Sequence, residues 1–136
     1  MRPVHRFRVY PNPGTPWRFE VLIFESQASM YKYAASKWGY TATDYHAICL
    51  STSTSESKGR KLGEVLFTLR GVTHGLIGHE LIHASHHFLQ TRCGKDAVVI
   101  NSCGGSHTTE EIVAHAASSM INQCTAEFAK RGVQIV

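Results

Sequence analysis

The beginning of the chain alternates between apolar and polar side chains with the period of a β-strand. Residues 4–10 place aromatic or aliphatic side chains between basic ones, and residues 17–24 form a second strand-like run. The sequence Pro-Asn-Pro-Gly at positions 11–14 separates the two runs and is typical of a turn. The pattern therefore predicts two strands that form a hairpin.

The middle of the chain predicts one helix and two further strands. Ser26 is a suitable N-cap for a helix over residues 27–38, and Gly39 is a suitable residue to end it. Residues 45–50 form a short apolar run, and residues 63–69 alternate once more, so we expect a strand at each position.

A long amphipathic helix is predicted next. Thr73 is a suitable N-cap for a helix that continues to about residue 90. Its apolar residues recur at the spacing of one helix face. They are Ile77, Leu81, Ala84 and Phe88. This stripe predicts that the helix packs along most of its length against a core.

The last part of the chain contains a short apolar run at 97–100, and its pattern then predicts a final helix. That helix begins after Ser106, Thr108 or Thr109 as N-cap and continues to about Lys130. No internal repeat or linker divides the chain. The order of strands and helices therefore predicts a single α+β domain over residues 1–136.

Composition narrows the class of protein without identifying it. Hydrophobic residues make up 43% of the chain and charged residues 18%, which indicates a globular protein. The formal net charge of +4 comes from scattered cations, which permits a nucleic-acid partner but does not indicate one. There is no apolar run of membrane-spanning length and no signal-peptide pattern. We therefore expect a cytoplasmic protein without membrane contact, whose four cysteines are reduced.

Histidine is the unusual component of this sequence. Nine histidines are present, and five of them lie between His74 and His87. Within this cluster the sequence His-Glu-Leu-Ile-His begins at His79 and ends at His83. Positions i and i+4 of a helix lie one turn apart on the same face, so both imidazoles can reach one ion. The spacing therefore predicts a Zn²⁺ site, since imidazole is a common zinc ligand.

Glu80 is the predicted catalytic residue of this motif. It follows the first ligand and is displaced around the helix, where its carboxylate reaches a zinc-bound water rather than the metal. Zinc lowers the pKa of that water, and Glu80 takes its proton as the water attacks a carbonyl carbon. The alternative is a chance motif in a histidine-rich chain, but its place in a capped amphipathic helix favours the metal site.

The motif and the final helix together resemble a known group of enzymes. His-Glu-Leu-Ile-His at 79–83, followed by Glu-Ile-Val-Ala-His at 111–115, is similar to the compact gluzincin-type zinc metallopeptidases. The resemblance is to the ImmA/IrrE family and related small phage-encoded zincin-like proteins, and it covers about residues 63–121. It implies a zincin-like minidomain, in which a small, mostly antiparallel sheet packs on the motif helix and a C-terminal glutamate helix. It also implies Glu111 as the third zinc ligand and a bacterial or phage setting.

The residues themselves leave the third zinc ligand open among three candidates. A catalytic zinc usually has three protein ligands, and this motif supplies two. Besides Glu111, Glu110 lies closer to the centre of the apolar face of the last helix. His107 is a candidate because SprT-like DNA-associated metallopeptidases use a histidine downstream of the motif. The longer metzincin motif is excluded, because it needs glycine at His86 and histidine at Leu89.

These features predict a zinc-dependent peptidase that hydrolyses internal bonds of a protein or peptide substrate. The strand over 63–69 would form the rim of the cleft, with an extended substrate added beside it. The Ser/Thr-rich segment over 51–57 would act as a flap. The alternative is a zincin-fold binding or regulatory protein, SprT-like and DNA-associated among others, whose metal is structural or not used in proteolysis.

Overall fold

Four strands and three helices follow one another along the chain. The structure, a computed structural model, describes residues 2–41, 45–52, 60–92 and 107–136, with residues 92 and 107–109 described for their backbone. The elements are β1 (His5–Val9), β2 (Arg18–Phe24), α1 (Gln27–Trp38), β3 (Ala47–Ser51), β4 (Lys61–Thr68), α2 (His74–Arg92) and α3 (His107–Lys130). Within these described ranges, no helix has the length and apolar character needed to cross a membrane.

The predicted elements agree with the observed ones to within two residues at each end. The predicted caps are confirmed as well. Ser26 Oγ accepts a hydrogen bond from the Ser29 backbone N–H, and Gly39 ends α1 at φ 65°. Thr73 Oγ1 accepts a hydrogen bond from the Leu76 backbone N–H. The predicted run over 97–100 and all but the first two residues of the predicted flap over 51–57 lie outside the described residues.

The strands form one mixed sheet in the order β1-β2-β4-β3. β1 and β2 pair antiparallel as the predicted hairpin, and β3 pairs antiparallel with β4. The central pair, β2 and β4, is parallel. The predicted α+β class is therefore confirmed, as a four-stranded mixed sheet with three helices. The prediction that the strand over 63–69 forms a rim is wrong, because β4 has a neighbour on each side. Among the described strands, β3 is the outermost one next to β4 and β1 is outermost on the opposite side.

The sheet is covered on both faces, so it has two cores. On one face Val65 and Phe67 of β4 pack in a cluster with buried residues of α2 and α3. On the other face Leu66 packs in a second cluster with Met30 and Ala34 of α1. Adjacent β4 residues face opposite sides, which explains why β4 is buried along almost its whole length.

Glu64 is a fully buried carboxylate beneath α1. It accepts hydrogen bonds from Tyr33 Oη at 2.7 Å and Trp38 Nε1 at 2.8 Å, and Lys61 Nζ lies 2.6 Å from it. Burial by itself would raise the pKa of Glu64, but the hydrogen bonds from Lys61, Trp38 and Tyr33 outweigh it and hold the pKa below its usual value. A buried charge needs such partners, so Glu64 joins α1 to the centre of the sheet.

We expect Glu64→Gln to lower the free energy of unfolding by about 1.5–3 kcal/mol at neutral pH, because charge-assisted hydrogen bonds are lost. The folded-state pKa of Glu64 lies below its unfolded value. Its contribution is therefore fully present above the unfolded pKa of about 4.3, and it is lost as the pH falls through the folded value. Urea titrations between pH 3 and pH 7 measure this difference.

Glu127→Gln, which removes a partly exposed partner of Arg131, is the control and should cost less than about 1 kcal/mol. Equal losses for the two variants would contradict the assigned role.

Gly63 allows β3 to approach β4 closely. A Cβ atom at this position would collide with the carbonyl oxygen of Leu50 and lie 2.9 Å from the Cα of Ser51. The pairing of β2 with β4 also changes register at this point, between Arg18 and Phe19. The position of the edge strand therefore depends on glycine here.

We expect Gly63→Ala to destabilise the fold by about 1–3 kcal/mol, because backbone atoms of β3 must move to admit the methyl group. Gly78→Ala is the matched control, since a Cβ there meets no described atom within 4 Å. Alanine inside a helix is favoured over glycine by up to about 1 kcal/mol, so this control should be neutral or stabilising. Chemical denaturation of both variants measures the contrast, and a neutral Gly63→Ala would refute the close approach.

Candidate metal centre

The two histidines of the motif converge on one point. Both lie on the exposed side of α2, opposite the buried stripe of Ile77, Leu81 and Ala84. His79 Nε2 and His83 Nε2 are 3.2 Å apart, and the ring centroids are 4.8 Å apart with an interplanar angle of 77°. One helical turn therefore brings two imidazole nitrogens together at the surface, open to solvent.

This separation suits a zinc ion. For a cation about 2.0–2.1 Å from both nitrogens, the 3.2 Å separation corresponds to an angle of roughly 100–106° at the metal, near the ~109° of a tetrahedron. A hydrogen bond between two neutral imidazoles has a similar length, so zinc binding has to be measured directly. The pair fits two positions of a tetrahedral site.

Glu80 lies beside the pair and is buried between α2 and β3. Its residue exposure is 7%, whereas both neighbouring histidines are exposed. Burial raises the pKa of the Glu80 carboxyl, while the charges of the two histidines and a hydrogen bond from the Cys49 backbone N–H act to lower it. A carboxylate that is held in place, with its pKa shifted toward neutrality, suits a general base.

Cys49 was not singled out by the sequence, and it lies next to Glu80. Burial, followed by the charge of Glu80, raises the pKa of the Cys49 thiol to about 12. The thiol is therefore protonated at neutral pH in the absence of a metal. Cys49 lines the site, but among the described residues it does not complete a group of three metal ligands with His79 and His83.

A cleft surrounds the histidine pair. One cavity of about 390 Å³ lies between α2 and the outer edge of the sheet. Its wall consists of His79, Glu80 and His83 on the helix side, with Tyr45, Cys49 and Ser51 among the residues opposite. The sequence alone could not indicate this wall, because it depends on β3 being the edge strand.

The structure does not bring Glu111 to the histidine pair. Its side chain is 69% exposed and lies 3.2 Å from His115 on the outer side of α3. It lines a separate cavity with Phe88 and Pro11. In the described part of the chain, no three side chains of His, Cys, Asp or Glu are grouped so that they could hold a metal ion. Glu111 as third ligand therefore stays a prediction of the resemblance.

The other two candidates begin the same helix. Glu110 is partly buried, and its Oε1 atom has no hydrogen-bond partner among the described residues. This agrees with the expectation that Glu110 lies nearer than Glu111 to the apolar face. His107 is the first residue of α3, and its side chain lies outside what the structure describes.

Comparisons of the chain with protein-family models, with curated proteins and with solved structures gave no match. No family, activity or residue role is therefore carried over from a matched protein.

We expect Glu111→Gln to change zinc affinity by less than about threefold, because the carboxylate faces solvent and contacts His115. Loss of a true metal ligand should weaken binding far more, since even outer partners of ligands contribute about 10–100-fold. Competition titration with a zinc-sensitive dye measures the affinity, with Glu127→Gln as control. A loss of tenfold or more for Glu111→Gln alone would establish Glu111 as a ligand.

Proposed function

We propose that the protein is a zinc-dependent peptidase that uses His79 and His83 as metal ligands and Glu80 as general base. The observation that supports this most is the 3.2 Å convergence of the two imidazole nitrogens beside a buried carboxylate. The proposal requires a third protein ligand. The family resemblance implies Glu111, but its side chain is exposed and contacts His115, and Glu110 and His107 are the alternatives. Zinc in such a site acidifies a water molecule and polarises a carbonyl group.

The role of Glu80 follows from its surroundings. Its carboxylate accepts the Cys49 backbone N–H, so it is oriented before a substrate arrives. A carboxylate held beside the two ligands can take a proton from the attacking water and later release it to the leaving amine. Because β3 and α2 bury most of the group, only 7% of Glu80 is exposed, at the wall of the cleft.

The edge of β3 is the place where a substrate backbone fits. Thr52 N–H donates to the Leu62 carbonyl, so the even-numbered residues here bond toward β4. The backbone groups of Ala47, Cys49 and Ser51 therefore point away from the sheet, toward the cleft. An extended peptide can pair with this edge. The Cys49 N–H already donates a hydrogen bond to Glu80. The Cys49 carbonyl and the backbone groups of Ala47 and Ser51 therefore remain for pairing with a substrate.

The rival function is a binding or regulatory protein whose metal is structural. It gains some support because only two ligands are brought together among the described residues. Two ligands one helical turn apart close no long loop, so a metal held by them alone adds little to the stability of the fold. Their exposure also leaves coordination positions open, which is typical of catalytic rather than structural zinc. The peptidase is therefore the better-supported proposal.

We expect Glu80→Gln to bind zinc as the wild type does and to lose peptide hydrolysis by at least about 100-fold, because the proton acceptor is gone. We expect His83→Ala to lose both zinc binding and peptide hydrolysis. Bound metal is measured by elemental analysis after purification in zinc, and activity by cleavage of casein and of quenched fluorescent peptides.

His86→Ala is the matched control for these variants, since His86 lies on the same helix and does not line the cavity. It should keep both zinc and activity. Equal hydrolysis by the wild type and Glu80→Gln would end the catalytic assignment. Stoichiometric zinc without any hydrolysis would favour the rival function.

A further inference from the structure

The cleft continues on both sides of Glu80. A second cavity, of about 470 Å³, lies next to the first and extends past Thr73 and Leu76 at the start of α2. The two cavities share four wall residues. These are Tyr45, Ala47, His79 and Glu80. The general base therefore stands near the middle of a trough, with space for a chain in both directions.

The strand side of this trough has a simple pattern. Residues 47, 49 and 51 of β3 alternate with residues that face α1, so they share the face toward α2. Ala47 is small and buried at the centre, next to Glu80. Tyr45 stands two positions before it, on the side toward the second cavity. The small residue leaves room at the reacting centre, and the large one borders the adjoining space.

Tyr45 is a fixed residue with an exposed side chain. Its carbonyl oxygen accepts hydrogen bonds from Tyr31 Oη at 2.6 Å and Gln27 Nε2 at 3.1 Å, both from α1. The residue is nevertheless 53% exposed. It is the one aromatic residue among the large exposed hydrophobics of the described ranges, the others being Val4, Ile82 and Val136. An anchored backbone that presents an aromatic side chain to a cleft is a preorganised binding surface.

The charges of the trough point to an apolar ligand. Among the described residues that line the two cavities, Glu80 is the only Asp, Glu, Lys or Arg. No lysine or arginine there is available to bind a terminal carboxylate. Two tyrosines line the described part of the trough, Tyr40 and Tyr45, and of these Tyr45 borders both cavities. Its ring favours aromatic and large aliphatic side chains.

We propose that Tyr45 determines specificity, by binding a large apolar side chain next to the scissile bond of an internal peptide segment. This inference rests on the proposed peptidase function. The trough is open on both sides of Glu80, so neither end of the substrate chain needs to lie at the centre. The ring contributes contact area, and its hydroxyl has no part in the selection.

The first test compares matched quenched peptides that differ only in Phe or Gly beside the cleaved bond. We expect the wild type to prefer Phe by at least about tenfold in kcat/KM. Tyr45→Ala should reduce this ratio by about tenfold, and Tyr45→Phe should keep it. Ile82→Ala, an exposed apolar residue of α2 outside both cavities, should leave the ratio and the rate unchanged. An equal fall for both peptides in Tyr45→Ala, or loss of the ratio in Tyr45→Phe, would overturn the proposal.

The second test does not depend on hydrolysis. Fluorescence anisotropy measures binding of the labelled Phe and Gly peptides to Glu80→Gln, and to the same protein with Tyr45→Ala. We expect tighter binding of the Phe peptide, with the difference lost in the double variant. If this holds while the wild type cleaves nothing, the peptidase proposal fails and the binding role of Tyr45 stands. If cleavage occurs but neither test shows a preference for Phe, the peptidase proposal stands and the role of Tyr45 is refuted.

Discussion

The candidate site depends on the orientation of α2 about its own axis, that is, on which side of the helix faces the sheet. The stripe that runs from Ile77 to Phe88 is almost fully buried, and its burial fixes which side of the helix meets the sheet. Each residue advances by about 100° around the axis. His79 and His83 must then lie on the solvent side, while Glu80 is turned partly toward β3. A rotation that exposed Glu80 would bury the stripe less well, so packing energy holds the site in its arrangement.

The strand β3 forms the second side of the candidate site, opposite α2. β3 supplies the backbone N–H that orients Glu80 and the outward-facing backbone groups that border the cleft. Its own position depends on Gly63, which lets β3 lie against β4 without a collision. β4 is held from the other face by Glu64 and its partners on α1. Interactions far from the histidines therefore decide the width of the cleft.

In the proposed site the two histidines supply two metal ligands, and the helix alone fixes their spacing. The third ligand that the proposal needs has to come from a distant part of the chain, so local geometry does not determine it. α3 packs against α2 through residues such as Ala116 and Met120. That packing turns Glu111 outward and places Glu110 nearer to the interior. The pairing of the two helices thus controls which of the two neighbouring glutamates of α3 faces the interior.

The sequence by itself determined the features that depend on neighbours a few positions apart. The bounds of the helices, their caps at Ser26 and Thr73, and the i, i+4 pair of histidines follow from local spacing, and the structure agrees with each. The strand order was decided by tertiary structure, because an alternating pattern shows which face of a strand is apolar and not which strand lies beside it. For that reason the sequence pattern predicts a rim at β4, although this strand lies inside the sheet, and it gives no signal for Tyr45 and Cys49, which lie before and within β3. The same limit applies to Glu111, since the direction in which a helix residue points depends on the partner against which that helix packs.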